Sequence, residues 1–220
     1  TTQPIVATVP DTSPVGNYDI TASGGDVRNY TVNYVNGTLI VTPALLTIRA
    51  DDQEMVYGSG LPTLTASYFG LVNHDTPADL ATPPTLATVA ADSAVGNYDI
   101  TVSDALSPNY LLNLVSGNLA IAPAMLTLTV DSASKTYGQL FSGFTGSLTG
   151  LTNGDNISIL FRSPGAESSA SVGSYPINAT LDDPGQVRGN YELINTPGIL
   201  AVDAADQTIL WAAPAPIRFG

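Results

Sequence analysis

Apolar and polar residues alternate over short stretches of the chain, and this alternation predicts β-strands. In the stretch 45–50 every second side chain is apolar, and the same pattern returns at 125–130. Because successive side chains of a strand point to opposite faces, we expect one face of each strand to be buried. The expected core residues are Leu46, Ile48, Ala50, Leu126, Leu128 and Val130. No apolar stripe has helical spacing, so the pattern predicts an all-β fold.

The two stretches belong to a repeat of 80 residues. The sequence VGNYDIT at 15–21 returns at 95–101, and a looser copy, VGSYPIN, stands at 172–178. Pro4–Pro43 also aligns without gaps on Pro84–Pro123. Internal repetition at a fixed period is typical of an array of similar units. We therefore predict a tandem, elongated array of small modules.

The repeat also predicts where the modules begin and end. Residues 44–123 and 124–203 form complete modules, the second more divergent, with residues 161–171 unaligned. Residues 1–43 correspond to the C-terminal half of a module, and residues 204–220 begin a further one. A module of this size has a small core and gains stability from its neighbours. Pro43 and Pro123 mark short junctions, which predict a stiff string of modules.

Turn and cap signals predict the other elements of a module. Strands are expected at 63–69, loosely at 144–149, and at 85–89. Thr76, followed by Pro77 and an acid at position 79, predicts a short helical turn that ends by residue 81. Asn36-Gly37 is a strong two-residue turn signal, so it predicts a closing hairpin between strands 29–35 and 38–42.

These motifs, in their order and spacing, resemble the MBG family of bacterial surface-protein modules, the type marked by a Tyr-Gly pair. The matching elements are the opening A-x-L-T-I strand, Tyr57-Gly58, the G-L-x-N-x-D turn, V-G-N-Y-D-I-T, the Asn-Tyr pairs and the closing G-x-L-x-V-x-P. The resemblance covers residues 1–203 and implies a β-grasp-like module in large secreted or surface-anchored bacterial proteins. The tail, Gln207–Ile217, resembles the opening of an immunoglobulin-like module.

Composition narrows the set of possible partners. The formal net charge is −13, and only 6 residues are Lys or Arg, which argues against nucleic acid because phosphate binding needs clustered cations. The acidity favours solubility and repulsion between chains. Cysteine is absent, so no disulfide supports the small cores. No apolar run is long enough for membrane insertion of this segment.

Candidate chemistry is sparse. His74 is replaced by Gly154 one repeat later, which indicates an exposed turn residue, and no nucleotide or catalytic fingerprint is present. Lys135 aligns with Met55, so a lysine crosslink is not a feature of the repeat. The candidates for a Ca²⁺ site are two acidic clusters, although neither supplies the six to eight oxygen ligands that Ca²⁺ takes. These clusters are Asp51, Asp52 and Glu54, and Asp182 with Asp183.

The tyrosines allow two interpretations. Tyr18, Tyr98 and Tyr175 recur beside an apolar strand partner, which favours half-buried core residues over a sugar-binding platform.

The functional hypothesis is a non-catalytic stalk repeat of an extracellular or cell-surface bacterial protein, with no cofactor, whose partners are the adjacent modules. One alternative is an adhesive module for host or matrix glycan, mucin or protein. Another is a self-assembling filament subunit completed by strand exchange with copies of itself.

Overall fold

The structure is a computed structural model that describes residues 2–220, and it consists of short β-strands joined by turns. In chain order the strands are β1 Ile5–Ala7, β2 Gly16–Ser23, β3 Gly37–Val41, β4 Ala44–Ala50, β5 Gln53–Val56, β6 Ala66–Phe69, β7 Thr85–Ala87, β8 Gly96–Ser103, β9 Tyr110–Val115, β10 Gly117–Ala122, β11 Ala124–Val130, β12 Ala133–Thr136, β13 Gly146–Thr149, β14 Ser158–Arg162, β15 Gly173–Asp182, β16 Tyr191–Thr196 and β17 Gly198–Asp203. The all-β fold class is confirmed.

In the described part of the chain, helical structure is limited to two 3₁₀ turns, Pro77–Asp79 and Arg188–Asn190. The first is the turn predicted from the capping pattern. The Asp79 carboxylate accepts hydrogen bonds from the Thr76 backbone N–H at 2.7 Å and from the Thr76 hydroxyl at 2.8 Å. Over residues 2–220, the structure contains no helix with the length and apolar character needed to cross a membrane.

The residues that the structure describes form five sheets, two in each complete repeat. One sheet has the order β6-β4-β9 and another β5-β10-β8-β7. The next repeat matches them with β13-β11-β16 and β12-β17-β15-β14, and residues 2–43 carry the sheet β1-β2-β3. The opening strand pairs in parallel with a late strand, β4 with β9 and β11 with β16, and antiparallel with β6 or β13. Consecutive strands such as β4 and β5 therefore change sheet.

The residues cluster into two compact units. Unit 1 contains the described residues up to Met55 together with Ser59–Ile121, and unit 2 contains Val56–Gly58 and Ala122–Gly220. Each unit has its own apolar core between two sheets. In unit 1, Leu46 and Ile48 pack with Tyr110 and Val102, and in unit 2 a separate cluster forms. The buried members of that second cluster are Leu128, Val130, Ile177 and Leu200.

All six residues predicted for the core face are at most 5% exposed, so that prediction is confirmed. The physical reason is that successive side chains of a strand point to opposite faces, so every second residue faces the core.

The predicted closing hairpin is wrong. Over residues 29–35 the structure has no strand, and β3 begins at Gly37. In the complete repeat 44–123 the two corresponding strands do not pair with each other, because β9 pairs with β4 while β10 pairs with β8 in another sheet. In the complete repeats the positions equivalent to Asn36-Gly37, residues 116–117 and 197–198, thus mark a change of sheet. Within residues 2–43 the structure also has no strand equivalent to β4, the partner of β9 in the complete repeat.

Candidate functional site

A tyrosine held against a turn carboxylate is the feature that recurs in both complete repeats. The Asn-Tyr pairs place Tyr110 at the start of β9 and Tyr191 at the start of β16. The Tyr110 hydroxyl donates to Asp75 Oδ2 at 2.6 Å and accepts the Val72 backbone N–H at 3.0 Å. The phenol thus closes the G-L-x-N-x-D turn from inside, and we call this arrangement the tyrosine-locked turn.

The second repeat reproduces the geometry to within 0.1 Å. The Tyr191 hydroxyl donates to Asp155 Oδ2 at 2.6 Å and accepts the Thr152 backbone N–H at 3.0 Å. Both rings are buried, at 6% and 4% exposure. The same bonds form in both turns although His74 of the first is Gly154 in the second, so the lock depends on the Asp and the Tyr.

The locked tyrosines are held in their neutral form. Burial raises the pKa of Tyr110 above its usual value, and the hydrogen bond to the Asp75 carboxylate raises it further. Burial likewise raises the pKa of Tyr191, followed by the hydrogen bond to Asp155. A phenol next to a carboxylate loses its proton with difficulty, because the second negative charge would be repelled. The site is therefore arranged to keep a phenolic donor.

The backbone of the locked turn explains its sequence. Asn73 and His74 have φ values of 57° and 66°, and Asn153 and Gly154 have 53° and 73°. Two consecutive residues in the left-handed region favour Asn and Gly. Of these four turn residues, His74 therefore has the backbone conformation that is energetically least favourable for its residue type. His74 is exposed. Its place matches the predicted exposed turn position.

In unit 2 a second tyrosine joins the lock. The hydroxyl of Tyr57 donates to Asp155 Oδ2 at 3.0 Å, across 98 positions of sequence. Its ring meets Tyr191 edge to face, with centroids 5.5 Å apart and planes at 85°, a favoured aromatic geometry. The Tyr57 backbone N–H donates to the Ala122 carbonyl at 2.9 Å. Asp155 therefore accepts two phenols, and Tyr57 is only 5% exposed.

Gly58 completes this contact. It adopts φ of +77°, and a Cβ atom there would collide with the Thr152 side chain. The Tyr-Gly pair thus combines a donor that reaches the lock with a residue that lets the backbone approach it. The equivalent pair in the next repeat differs: Tyr137 is 48% exposed, and Gly138, at φ +91°, has no neighbour within 4 Å of its Cβ position.

A cleft of about 190 Å³ lies within unit 1, next to its tyrosine-locked turn. It is lined by Asp11, Ser13, Val15, Val41, Thr42, Ala44, Val72, Asn73, Asp75, Asn109 and Tyr110. The cleft joins residues of the half repeat to those of the following repeat, and the Val15 backbone N–H donates to Asn109 Oδ1 at 3.1 Å on its wall.

The first predicted Ca²⁺ cluster lies at the corner where the chain leaves β4 for β5. Asp51 accepts hydrogen bonds from the hydroxyls of Thr65 and Ser67, each at 2.6 Å. The Ser67 bond, then the Thr65 bond, lowers the pKa of Asp51. Asp52 accepts the Asn118 backbone N–H at 2.8 Å and pairs with Arg49 at 3.0 Å. These carboxylates fasten the corner.

The next repeat uses the same corner with fewer charges. Asp131 accepts the Thr145 hydroxyl at 2.7 Å, and the Ser132 hydroxyl accepts the Ile199 backbone N–H at 3.1 Å. Ser132 thus accepts a backbone N–H in the place where Asp52 does so in the preceding repeat. Glu54 is exposed on β5.

The two residues of the second predicted cluster, Asp182 and Asp183, have different surroundings. Asp182 is exposed at the end of β15. Asp183 accepts the backbone N–H groups of Val187 at 3.1 Å and Arg188 at 2.7 Å, so it closes its own loop. Among residues 2–220, no three His, Cys, Asp or Glu side chains form a group suited to a metal ion. The two clusters stay candidates from the sequence for a Ca²⁺ site.

Lys135 is buried, at 5% exposure. Its ammonium donates to the carbonyls of Gln139 at 2.9 Å and Ala166 at 3.2 Å, and to that of Glu167. The charge is compensated by main-chain oxygens, as a buried cation requires. The lysine therefore ties β12 to the loop at 166–167 in a position where the preceding repeat uses buried Met55.

The VGNYDIT tyrosines have a structural role. Tyr18, Tyr98 and Tyr175 are half-buried, and each hydroxyl donates to the carbonyl four residues earlier at 2.7, 2.9 and 2.8 Å. The prediction that these tyrosines are half-buried is thus confirmed. The tyrosine-locked turn was missed, although its parts recur in the sequence, because the periodicity does not reveal that Asn-Tyr, N-x-D and Tyr-Gly converge.

The comparisons with known proteins agree with the repeat. The family described as MBG domain (YGX type) matches residues 3–40, 46–120 and 126–201. No curated protein matches the chain. Among solved structures, Drosophila N-cadherin EC1-4 is similar at 9% identity and a TM-score of 0.28, over 86% of this chain and 58% of the cadherin chain. The chain thus spans less than two thirds of that structure.

The three matched segments cover most of the chain, and they contain the locked turns and the Tyr-Gly pairs. This is a structural repeat family rather than a known enzyme family. The chain belongs to the MBG domain (YGX type) family, as a tandem series of its repeats.

Proposed function

We propose that the chain is a non-catalytic spacer segment of a large secreted or cell-surface, adhesin-like bacterial protein. The observation that carries the proposal is the use of acidic side chains as hydrogen-bond acceptors within the fold. Asp51, Asp75, Asp155 and Asp183 bind hydroxyl or backbone donors of the fold itself. Such groups hold turns and corners in place. The family, a repeat module of large surface proteins, supports the same role.

A spacer works through the number of its units and their resistance to unfolding. Each repeat supplies a small core, and its turns are fastened by buried phenols and carboxylates. The net charge of −13 adds mutual repulsion between chains, which opposes aggregation of long surface proteins. These properties suit a spacer that extends the protein and needs no ligand site of its own.

Small-angle scattering of residues 44–203 tests the spacer role. A compact globule of 160 residues has a radius of gyration of about 15 Å. We expect a clearly larger radius and a maximum dimension well above that of one globule. A radius at the compact value would reject the spacer proposal.

Stretching of single molecules gives a second test. A fully extended repeat of 80 residues reaches roughly 260–290 Å. We expect successive unfolding steps, each with a length gain close to this value, less the folded length. A single step that releases all repeats together would contradict independent spacer units.

The adhesive alternative requires an exposed aromatic patch at matching places in each repeat. The exposed aromatics do not match: Phe69, 60% exposed, aligns with Thr149, and Tyr137 aligns with buried Tyr57. For this reason we favour the spacer. Binding to a glycan array that is lost on Phe69→Ala would instead support the adhesive role.

A further inference from the structure

We propose that the cleft beside Asp75 and Tyr110 in unit 1 is a binding site for the Tyr-Gly turn of another MBG repeat. The inference rests on the repeat architecture and is independent of the spacer role, so the scattering result does not bear on it. Its occupant is a tight turn that offers one phenolic donor followed by a glycine with positive φ.

Unit 2 supplies the template for this binding. There Tyr57 reaches the locked turn with its hydroxyl on Asp155 at 3.0 Å and its ring edge-to-face on Tyr191. Gly58 lies so close to Thr152 that no side chain fits between them. The Tyr57 backbone N–H is held by the carbonyl of Ala122, the last residue of β10.

The cleft of unit 1 presents the same groups. Asp75, Tyr110 and Val72 are the counterparts of Asp155, Tyr191 and Thr152, and the lock between them has the same bond lengths. Thr42, which also lines the cleft, is the counterpart of Ala122 in the 80-residue repeat. Its carbonyl is thus the expected acceptor for a tyrosine backbone N–H. The remaining hydrogen-bonding capacity of the Asp75 carboxylate suits a second phenol, as at Asp155.

The two Tyr-Gly pairs of the chain show what binding does to such a turn. Both tyrosines anchor their backbone N–H on the end of a closing strand, Tyr57 on Ala122 and Tyr137 on Asp203. Tyr57, in contact with a locked turn, is 5% exposed, whereas Tyr137 is 48% exposed. An open turn and an open cleft of matching chemistry therefore occur on one chain, in different units. Head-to-tail complementarity of this kind links repeats in series.

We assign the occupant to a half repeat of the type 44–83 when it is placed directly ahead of residue 4, because Tyr57 has this position in the sequence relative to the locked turn that it contacts. Residues 44–83, which carry Tyr57, are followed by 84–123, on which Pro4–Pro43 aligns without gaps. The alternative occupant, Tyr137-Gly138 of a second copy, would have to overcome the entropy of association for a small contact.

The test is a chain in which residues 44–83 are fused ahead of residues 4–220, which completes the first repeat. We expect the backbone amide of Val72, bonded to the Tyr110 hydroxyl, to exchange with solvent about fivefold more slowly than in the original chain, the effect of one net hydrogen bond. The matched control replaces the added copy of Tyr57 by Phe. Equal Val72 exchange in both fusions, with the added strands protected, would overturn the proposal.

A second measurement does not depend on folding of the fusion. In the original chain, Tyr57→Phe removes the template contact, so the Thr152 amide should exchange about fivefold faster while the Val72 amide is unchanged. No change at Thr152 would remove the energetic basis of the proposal and overturn it. Concentration-dependent association of the original chain that is lost in both Tyr137→Phe and Asp75→Asn would overturn the assignment of the occupant to the same chain.

Discussion

Gly58→Ala and Gly138→Ala form a matched pair that measures how much the tyrosine-locked turn depends on the Tyr-Gly contact. Both glycines follow a tyrosine and have positive φ, +77° and +91°. Alanine in the left-handed region costs about 1–2 kcal/mol. Both variants carry this cost. Only at Gly58 does the new methyl group meet another side chain, that of Thr152, whereas the space around Gly138 is open to 4 Å.

The steric part sets the difference between the variants. Forcing a methyl group into a packed contact costs about 1–3 kcal/mol. We therefore expect Gly138→Ala to destabilise unit 2 by about 1–2 kcal/mol and Gly58→Ala by about 2–5 kcal/mol. For a domain of 60–100 residues, each kcal/mol lowers Tm by roughly 4–8 °C.

Native-state hydrogen exchange is the suitable assay, because a chain with several units need not unfold in one step. The reporters are the Thr152 amide, bonded to the Tyr191 hydroxyl, and the amides of β11. The Thr152→Gly background supplies the control, since removal of that side chain should bring the two variants to about the same cost. Equal costs of Gly58→Ala and Gly138→Ala in the original chain would refute the packing argument.

Four further results are expected. The pKa of Tyr191 is raised by burial and then by the hydrogen bond to Asp155, so the stability that the neutral phenol contributes is full below pH 10 and is lost as the pH rises above that value. The free energy of unfolding, measured by denaturation from about pH 9 to about pH 11.5, should therefore fall with rising pH. Tyr191→Phe should reduce this fall. Lys135→Met should cost about 2–4 kcal/mol, because buried carbonyls lose their donor; a neutral result in urea denaturation would show that they find other partners. His74→Gly should stabilise unit 1 by about 0.5–1 kcal/mol by relieving a φ of 66°, and a lower Tm would contradict this reasoning. Ca²⁺ should leave Tm unchanged, because the acidic corner already accepts protein hydrogen bonds, such as Ser67 to Asp51, and a saturable rise would indicate a metal site.

Local patterns predicted much of each repeat. The strands at 45–50 and 125–130 and the 3₁₀ turn after Thr76 were found within a residue or two, since alternation and capping act over a few neighbouring positions. Strand β6 is shorter than predicted, beginning at Ala66. The closing hairpin failed because Asn36-Gly37 is a local turn signal, whereas the partner of β9 is the distant β4.

The acidic residues show the same division. Sequence could mark Asp51 and Asp52 as a cluster, but their hydrogen-bond partners lie elsewhere in the chain, at Ser67 and at Asn118. Whether a carboxylate binds a metal ion or a backbone N–H depends on such distant neighbours. Asp155 is the clearest case, because its partner Tyr57 is 98 positions away.

The sequence by itself determined the all-β class, the 80-residue repeat, the buried faces of the opening strands and the family, because each follows from short-range alternation or from copying of one unit. Tertiary structure alone decided that the opening strand pairs in parallel with a late one, and that Asn-Tyr, N-x-D and Tyr-Gly meet in one lock. Those contacts depend on how sheets bring distant segments together, and a linear pattern contains no measure of that distance.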